Sequence, residues 1–188
     1  MRKVILQIHT SLDGIISDPE QWAAISDEIL ADSLEYYNTI DAIIFGSRSY
    51  PSLAECWQNA ETASQSALER TFAKRINEMR RIVISRSKIN LVWSNSQQMV
   101  IKDGESLVRE IENLKKSEGK NISVEAGTKT WQLFLENSLF DEILLFIQPI
   151  VAGQGTKLFE VGAKMTMRLI NSKVYENGVV GLHYQKSV

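Results

Sequence analysis

The segment ISVEAGTKTWQLFLENSLFDEILLFIQPIVAGQGTKLF, residues 122–159, decides the predicted fold. A short apolar run at its start ends at Ala126 and Gly127, and a helical pattern follows. Residues 142–147 then form a near-continuous apolar run, which is typical of a strand buried on both faces. The order strand, glycine turn, helix, strand predicts a βαβ unit within a sheet that helices cover.

The glycine turn in this segment is a candidate anion site. Thr128, Lys129 and Thr130 follow Gly127 and occupy the first turn of the predicted helix. N–H groups at the start of a helix have no intrahelical acceptor, and the helix dipole favours a negative charge there. The turn therefore indicates a phosphate site at Gly127–Thr130. A plain tight turn is the alternative, because a single glycine between strand and helix commonly binds no ligand.

Length and composition indicate one globular domain over residues 1–188. The 44% hydrophobic and 23% charged residues are those of an ordinary globular protein, and a net charge of −2 gives no general attraction to nucleic acid or anionic membranes. Cys56 is the single cysteine, which suits a reducing cytoplasm. With only His9 and His183 beside it, we expect no metal site. No apolar run approaches transmembrane length.

The remaining pattern predicts an alternation of strands and helices. Ser26 is the expected N-cap of a helix that ends near Asn38, and Asp103 of a later one. Residues 56–65 are expected to be irregular, and a hairpin with Asn177-Gly178 at its turn closes the chain. Strands are expected at Val4–Ile8, Asp41–Phe45, Ile82–Ile84, Glu142–Ile147, Met167–Tyr175 and Val179–Lys186, with short extended pieces at Asn90–Trp93 and Met99–Ile101.

Two motifs carry a family resemblance: AG-TKTW at residues 126–131, and Asp141-Glu142 followed by Pro149, Gly153, Gly155 and Phe159. The chain resembles, over nearly its whole length, the dihydrofolate-reductase-like family. It is most similar to the branch of the riboflavin-biosynthesis reductase domain, the RibD C-terminal domain. The resemblance implies a three-layer α/β fold with a mostly parallel sheet and a C-terminal antiparallel hairpin. It also implies NADPH as the cofactor.

The resemblance assigns cofactor contacts to the ends of four strands. The nicotinamide side is implied at the first strand, the pyrophosphate side at the second strand and at the glycine turn, and the 2′-phosphate grip at the third strand. The implied residues are His9, Thr10 and Ile16; Gly46, Ser47, Arg48 and Ser49; Ser85 and Arg86; and Ala126, Gly127, Thr128, Lys129 and Thr130. A serine hydroxyl and an arginine guanidinium together suit a phosphate group.

Two positions depart from the family pattern. Ser47 stands where the family has arginine, and Arg48 brings a charge one residue later, on a side chain that points elsewhere. Ala126 replaces the first glycine of a pair. Its methyl group either narrows the cofactor groove or shifts it.

Two acids are candidates for proton delivery. Asp13 lies in the TSLDG motif, which resembles the substrate-side SxDG element of the family, and as an acid it should have a raised pKa. Asp32 is nearest in position to the helix carboxylate of dihydrofolate reductases. The alternatives are a plain turn at Asp13-Gly14 and a solvated acidic helix face around Asp32.

The resemblance implies an NADPH-dependent reductase that transfers a hydride to a small heterocyclic, pyrimidine-ribosyl or pterin-like substrate. This activity is similar to that of dihydrofolate reductase or of 5-amino-6-(5-phosphoribosylamino)uracil reductase. A homodimer is implied as well. The alternative is a non-catalytic nucleotide-binding or dimerisation module that keeps the fold. A folate-specific dihydrofolate reductase is a third interpretation.

Overall fold

A computed structural model describes residues 1–160 and 164–187. The strands are β1 (Val4–Thr10), β2 (Ile40–Gly46), β3 (Arg80–Ser85), β4 (Ser96–Val100), β5 (Asn121–Val124), β6 (Glu142–Ile147), β7 (Met167–Val174) and β8 (Val180–Lys186). The helices are α1 (Asp27–Tyr37), α2 (Tyr50–Ala63), α3 (Ala67–Glu78), α4 (Gly104–Lys116) and α5 (Thr128–Glu136).

The eight strands form one sheet in the order β4-β3-β2-β5-β1-β6-β8-β7. The six strands from β4 to β6 in that order are parallel, β8 is antiparallel to β6, and β7 is antiparallel to β8. The turn of this last hairpin contains Gly178 with a φ of 83°, a conformation that glycine adopts without steric cost. The predicted fold class, a mostly parallel sheet with a C-terminal antiparallel hairpin, is confirmed.

Helices cover both faces of the sheet, each over its own apolar core. One core contains Leu6 and Val124 of the central strands beneath α4 and α5, where Trp131 and Phe134 are buried. The opposite core contains Phe45 beneath α1, α2 and α3. Because successive side chains of a strand point to opposite faces, β2 and β3 contribute to both cores.

The helix starts follow the capping pattern of the sequence. The Ser26 hydroxyl accepts a hydrogen bond from the N–H of Ile29 at 3.3 Å, and the Asp103 carboxylate accepts from the N–H of Ser106 at 2.8 Å. Each bond satisfies an N–H group that the helix itself leaves free. Both predicted N-caps are confirmed.

One predicted segment is wrong. Most of residues 56–65 lies in α2, because Trp57 packs edge-on against Phe72 of α3 with ring centroids 5.0 Å apart, and this contact covers an otherwise polar helix. Residues 90–93, expected as a short extended piece, lie outside any strand. The buried ring of Trp93 instead stacks on Phe45, with centroids 5.8 Å apart, so packing and not strand pairing fixes this segment.

Gly46 ends β2 beneath the first turn of α5. A Cβ atom at this position would lie 2.6 Å from Oγ1 of Thr130, well inside contact distance. Thr130 is buried, and its β-branched side chain has few rotamers within a helix. The absence of a side chain at Gly46 therefore allows the end of β2 and the start of α5 to touch.

We expect the Gly46→Ala substitution to lower the free energy of unfolding by about 1–3 kcal/mol, the usual cost of overpacking a buried contact. Urea denaturation of the variant and of the original chain measures this loss. Gly127→Ala is the matched control, because its added Cβ atom would meet only Oγ of Ser49, at 3.9 Å. Equal losses in the two variants would contradict the packing argument.

Candidate functional site

The ends of the parallel strands place the predicted cofactor residues along one edge of the sheet. The loops after β2 and β5 lie side by side, as the contact of Thr130 with Gly46 shows. The loop after β3 lies next to them, since β3 pairs with β2 and the N–H of Ser47 donates to the carbonyl of Ile84 at 3.0 Å. The carboxyl edge of an open α/β sheet is the usual ligand site of this architecture.

Two helices begin at this edge without a side-chain cap. Gly127 is the N-cap of α5, and Ser49 is the N-cap of α2; neither side chain caps its helix. The Ser49 hydroxyl instead donates to the carbonyl of Gly46 at 3.3 Å. Pro51 has no N–H group, and the N–H of Thr130 donates to the carbonyl of Gly127 at 3.1 Å. The N–H groups left for an anion between the two loops are therefore those of Thr128 and Lys129 in α5 and of Tyr50 and Ser52 in α2.

The same edge carries exposed basic side chains. Arg48, Arg86 and Lys129 are exposed, and none takes part in an ion pair among residues 1–160 and 164–187. Unpaired guanidinium groups suit phosphate oxygens, which they can contact with two parallel hydrogen bonds. The arrangement can therefore hold a ligand with several phosphate groups.

Ser85 does not fit the phosphate-binding role that the family resemblance implied for it. Its side chain is buried, and its hydroxyl donates to the carbonyl of Ser87 at 2.8 Å and accepts from the amide of Gln98. A hydroxyl has one proton to donate, so Ser85 has none for a phosphate group. Of the predicted Ser-Arg pair, only Arg86 is free to bind.

The residues predicted at the nicotinamide side differ in exposure. Thr10 and Ile16 are each 3% exposed, and the Thr10 hydroxyl lies 3.2 Å from the carbonyl of Ile15. His9 is partly exposed and stacks on Phe146 with ring centroids 4.8 Å apart. Burial lowers the pKa of His9 to about 4, so its ring is neutral at pH 7.

The expected raised pKa of Asp13 is wrong. Its carboxylate accepts hydrogen bonds from the Ser11 hydroxyl at 2.6 Å and from the N–H groups of Ala152 and Gly153 at 2.9 and 2.8 Å. These donors stabilise the charged form and lower the pKa of Asp13 to about 2. A carboxyl group that is ionised at pH 7 has no proton to give, so Asp13 ties the loop after β1 to the loop after β6.

Asp32 lies on a cleft at the side of α1. The cleft has a volume of about 490 Å³ between α1 and the strands β6, β8 and β7. Asp32 forms an ion pair with Lys173 at 2.8 Å, and Lys173 also contacts Glu28 at 3.1 Å. The carboxylate is therefore engaged by a lysine, and the structure does not bring it together with the predicted cofactor residues.

Glu125 is a site residue that the sequence interpretation missed. It directly precedes Ala126 and Gly127, and its carboxylate accepts hydrogen bonds from the Tyr37 hydroxyl at 2.5 Å and the Ser123 hydroxyl at 2.8 Å. Burial raises the pKa of Glu125, and these two hydrogen bonds oppose that rise. The available signal was an acidic residue between the apolar end of β5 and the glycine turn.

The described part of the chain contains neither a membrane-spanning helix nor a group of side chains that could hold a metal ion. Among residues 1–160 and 164–187, no helix has the length and apolar character needed to cross a bilayer. The same residues contain no group of three or more His, Cys, Asp or Glu side chains that could hold a metal ion.

The fold is dihydrofolate-reductase-like, and its carboxyl edge combines uncapped helix starts and exposed basic side chains with a partly buried carboxyl group. The family model of the RibD C-terminal domain matches residues 2–181. The chain belongs to the RibD C-terminal domain family, as its sequence motifs predicted.

Known relatives agree with this assignment. The uncharacterized protein YyaP of Bacillus subtilis is 27% identical over 97% of this chain and 94% of its own length. RibD of Acinetobacter baumannii has a TM-score of 0.69 at 16% identity, over 100% of this chain and 59% of RibD. A diaminohydroxyphosphoribosylaminopyrimidine deaminase/5-amino-6-(5-phosphoribosylamino)uracil reductase of Thermotoga maritima has a TM-score of 0.65 at 17% identity, over 99% of this chain and 57% of that protein.

The hydrogen bonds of Asp13 predict that the order of the loop after β6 depends on pH. Because its pKa in the folded protein lies below the ordinary value of 3.8, its contribution to loop order is complete above that value. The contribution is lost as the pH falls through about 2. We expect Asp13→Asn to speed amide hydrogen exchange at Ala152 and Gly153 at neutral pH. Asp18→Asn is the control. Asp18 precedes a short 3-10 helix, Pro19–Gln21, and its side chain forms no capping hydrogen bond to that helix. Unchanged exchange in Asp13→Asn would contradict the assigned role.

The Glu125 network makes a second prediction, which concerns its pKa. We expect a carboxyl pKa above the ordinary 4.5, and a further rise in Tyr37→Phe, because that variant removes a donor to the charged form. Carbon-13 NMR titration of the glutamate carboxyl groups measures both. Tyr36→Phe is the matched control, because the Tyr36 hydroxyl contacts Ser123 and not Glu125. A lower pKa in Tyr37→Phe would refute the assignment.

Proposed function

We propose that this protein is an NADPH-dependent reductase of a small heterocyclic substrate. The observation that carries the proposal is the meeting of two uncapped helix starts with three unpaired basic side chains, Arg48, Arg86 and Lys129, at the carboxyl edge of the sheet. Relatives in the same family include a uracil reductase by name, which supports a reductase class. NADPH carries three phosphate groups, and the edge offers matching donors and charges.

Different residues of the edge are suited to different phosphate groups of NADPH. The N–H groups at the start of α5, next to Gly127, are suited to the pyrophosphate. Arg48 stands beside them, in place of the arginine that the family has one residue earlier. Arg86, at the end of β3, is suited to the 2′-phosphate, the group that distinguishes NADPH from NADH. When bound, the nicotinamide supplies a hydride; the protein's part is orientation and exclusion of water.

Glu125 is the residue that we propose as the source of the proton. Reduction of a C=N or C=O bond needs one hydride and one proton, and the proton needs an acid near the reacting atoms. Glu125 adjoins the glycine turn, and its burial favours the protonated carboxyl group. Tyr37 and Ser123 hold the carboxyl group in place through the hydrogen bonds described above. This role replaces the one that the sequence suggested for Asp13 and Asp32.

The non-catalytic module is the second candidate. Ser47 in place of the family arginine, and the engaged hydroxyl of Ser85, favour it because both reduce the groups available to phosphate. Under this alternative the chain keeps the fold but binds NADPH weakly and reduces nothing. The cofactor titration below separates the two.

Two further features stay predictions. A homodimer agrees with the exposed apolar side chains of the edge strand β7, Leu169, Ile170 and Val174, which are 46%, 42% and 74% exposed. Sedimentation at micromolar concentration tests the homodimer, and a monomeric mass would contradict it.

The cytoplasmic location rests on the single cysteine, and fractionation of cells that express the protein tests it.

The test of the proposed function is a calorimetric titration with NADPH and, separately, with NADH. We expect NADPH to bind at least tenfold more tightly, and Arg86→Gln to remove that difference, because a charge-assisted phosphate contact contributes about 1.5–3 kcal/mol. Arg80→Gln is the matched control, an exposed arginine at the other end of the same strand. Failure of both nucleotides to bind would reject the reductase and favour the non-catalytic module.

A further inference from the structure

The two halves of the carboxyl edge carry opposite charges. From residue 4 to residue 47 the chain has no lysine or arginine, and the loop at 148–156 has no charged residue at all. Within these segments, the loop after β1 and the loop after β6 lie on the other side of β5 from the loops that carry Arg48 and Arg86. The acids of the loop after β1 are Asp13, Asp18 and Glu20.

On the strand side of this face, Lys3, Lys173 and His183 each contact a carboxylate. Lys173 contacts both Glu28 and Asp32. Glu142 receives Lys3 at 2.6 Å and the Nε2 atom of His183 at 2.8 Å. A phosphate group on this face would therefore lose water without gaining a free cation, which is unfavourable.

The same face presents hydrogen-bond acceptors instead. The Oε1 atom of Gln7 is buried and has no hydrogen-bond partner among the described residues. Leu6 pairs with Val124, so one residue further along each strand Gln7 lies beside Glu125, on the face that α1 covers. As whole residues Gln7 and Glu125 are both partly exposed, so a ligand reaches Oε1 of Gln7 once that side chain turns outward. A buried carbonyl oxygen without a donor is costly, and a ligand N–H group would satisfy it.

Resting on the reductase proposed above, we infer that its substrate is a neutral or cationic heterocycle rich in N–H groups, without a phosphate group, which donates hydrogen bonds to Gln7 and Glu125. The relative from Thermotoga maritima is named for a substrate that bears a phosphoribosyl group. The acidic half of the edge separates this chain from that substrate class. The basic half is left to the phosphates of the cofactor, so the two ligands do not compete for the same charges.

Three pyrimidine probes test the inference on protein saturated with NADP⁺. The first is 5,6-diaminouracil; the second is its 1,3-dimethyl derivative, which lacks the ring N–H groups; the third is uridine 5′-monophosphate. Calorimetry should show 5,6-diaminouracil binding at least tenfold more tightly than either of the others. Gln7→Leu should weaken its binding about tenfold, the value of one hydrogen bond of about 1.4 kcal/mol.

Gln132→Leu is the matched control, because Oε1 of Gln132 is also buried without a partner but lies on α5, across the sheet. That variant should bind 5,6-diaminouracil as the unmodified chain does. The inference is overturned if uridine 5′-monophosphate binds as tightly, if 5,6-diaminouracil does not bind at millimolar concentration, or if Gln7→Leu has no effect. The NADPH titration is run without probes, so loss of cofactor binding is seen separately and counts against the reductase.

Discussion

Thr130 packs against the backbone of Gly46 because glycine has no Cβ atom to keep the first turn of α5 away from β2. This contact brings together two loops that are more than 75 residues apart in the chain. Each loop opens a helix whose first N–H groups lack a capping side chain. The proposed anion site therefore follows from a packing contact, since neither helix start would form it alone.

The loop after β1 is held in a different way. Its Asp13 carboxylate binds the N–H groups of Ala152 and Gly153, and backbone hydrogen bonds such as that from Ile16 to the carbonyl of Thr156 add to the connection. Loops normally depend on few contacts and move readily. Here a carboxylate serves as a structural acceptor, which fixes one wall of the proposed site.

The two faces of the central strands serve different purposes. Toward α4 and α5, side chains such as Leu6 and Val124 are apolar and fully buried. Toward α1, the same strands present Gln7, Ser123 and Glu125. Polar groups on a sheet face are costly unless hydrogen bonds satisfy them, and Tyr36 and Tyr37 of α1 supply two of those bonds. Such a face is retained at a cost in stability, which is the usual mark of a functional surface.

The sequence by itself determined the strands, the caps Ser26 and Asp103, the family and the glycine turn, because these depend on local periodicity and on short motifs. It did not indicate Glu125, because the hydrogen bond that holds this carboxyl group comes from Tyr37, 88 positions away in the chain, and forms only in the folded protein. It misjudged residues 56–65, since their helix is stabilised by packing on α3. Tertiary structure alone decided that Asp13 is an acceptor, that the hydroxyl of Ser85 is engaged and that Asp32 pairs with Lys173. Hydrogen bonds and ion pairs between distant segments fix these roles, and no local pattern encodes them.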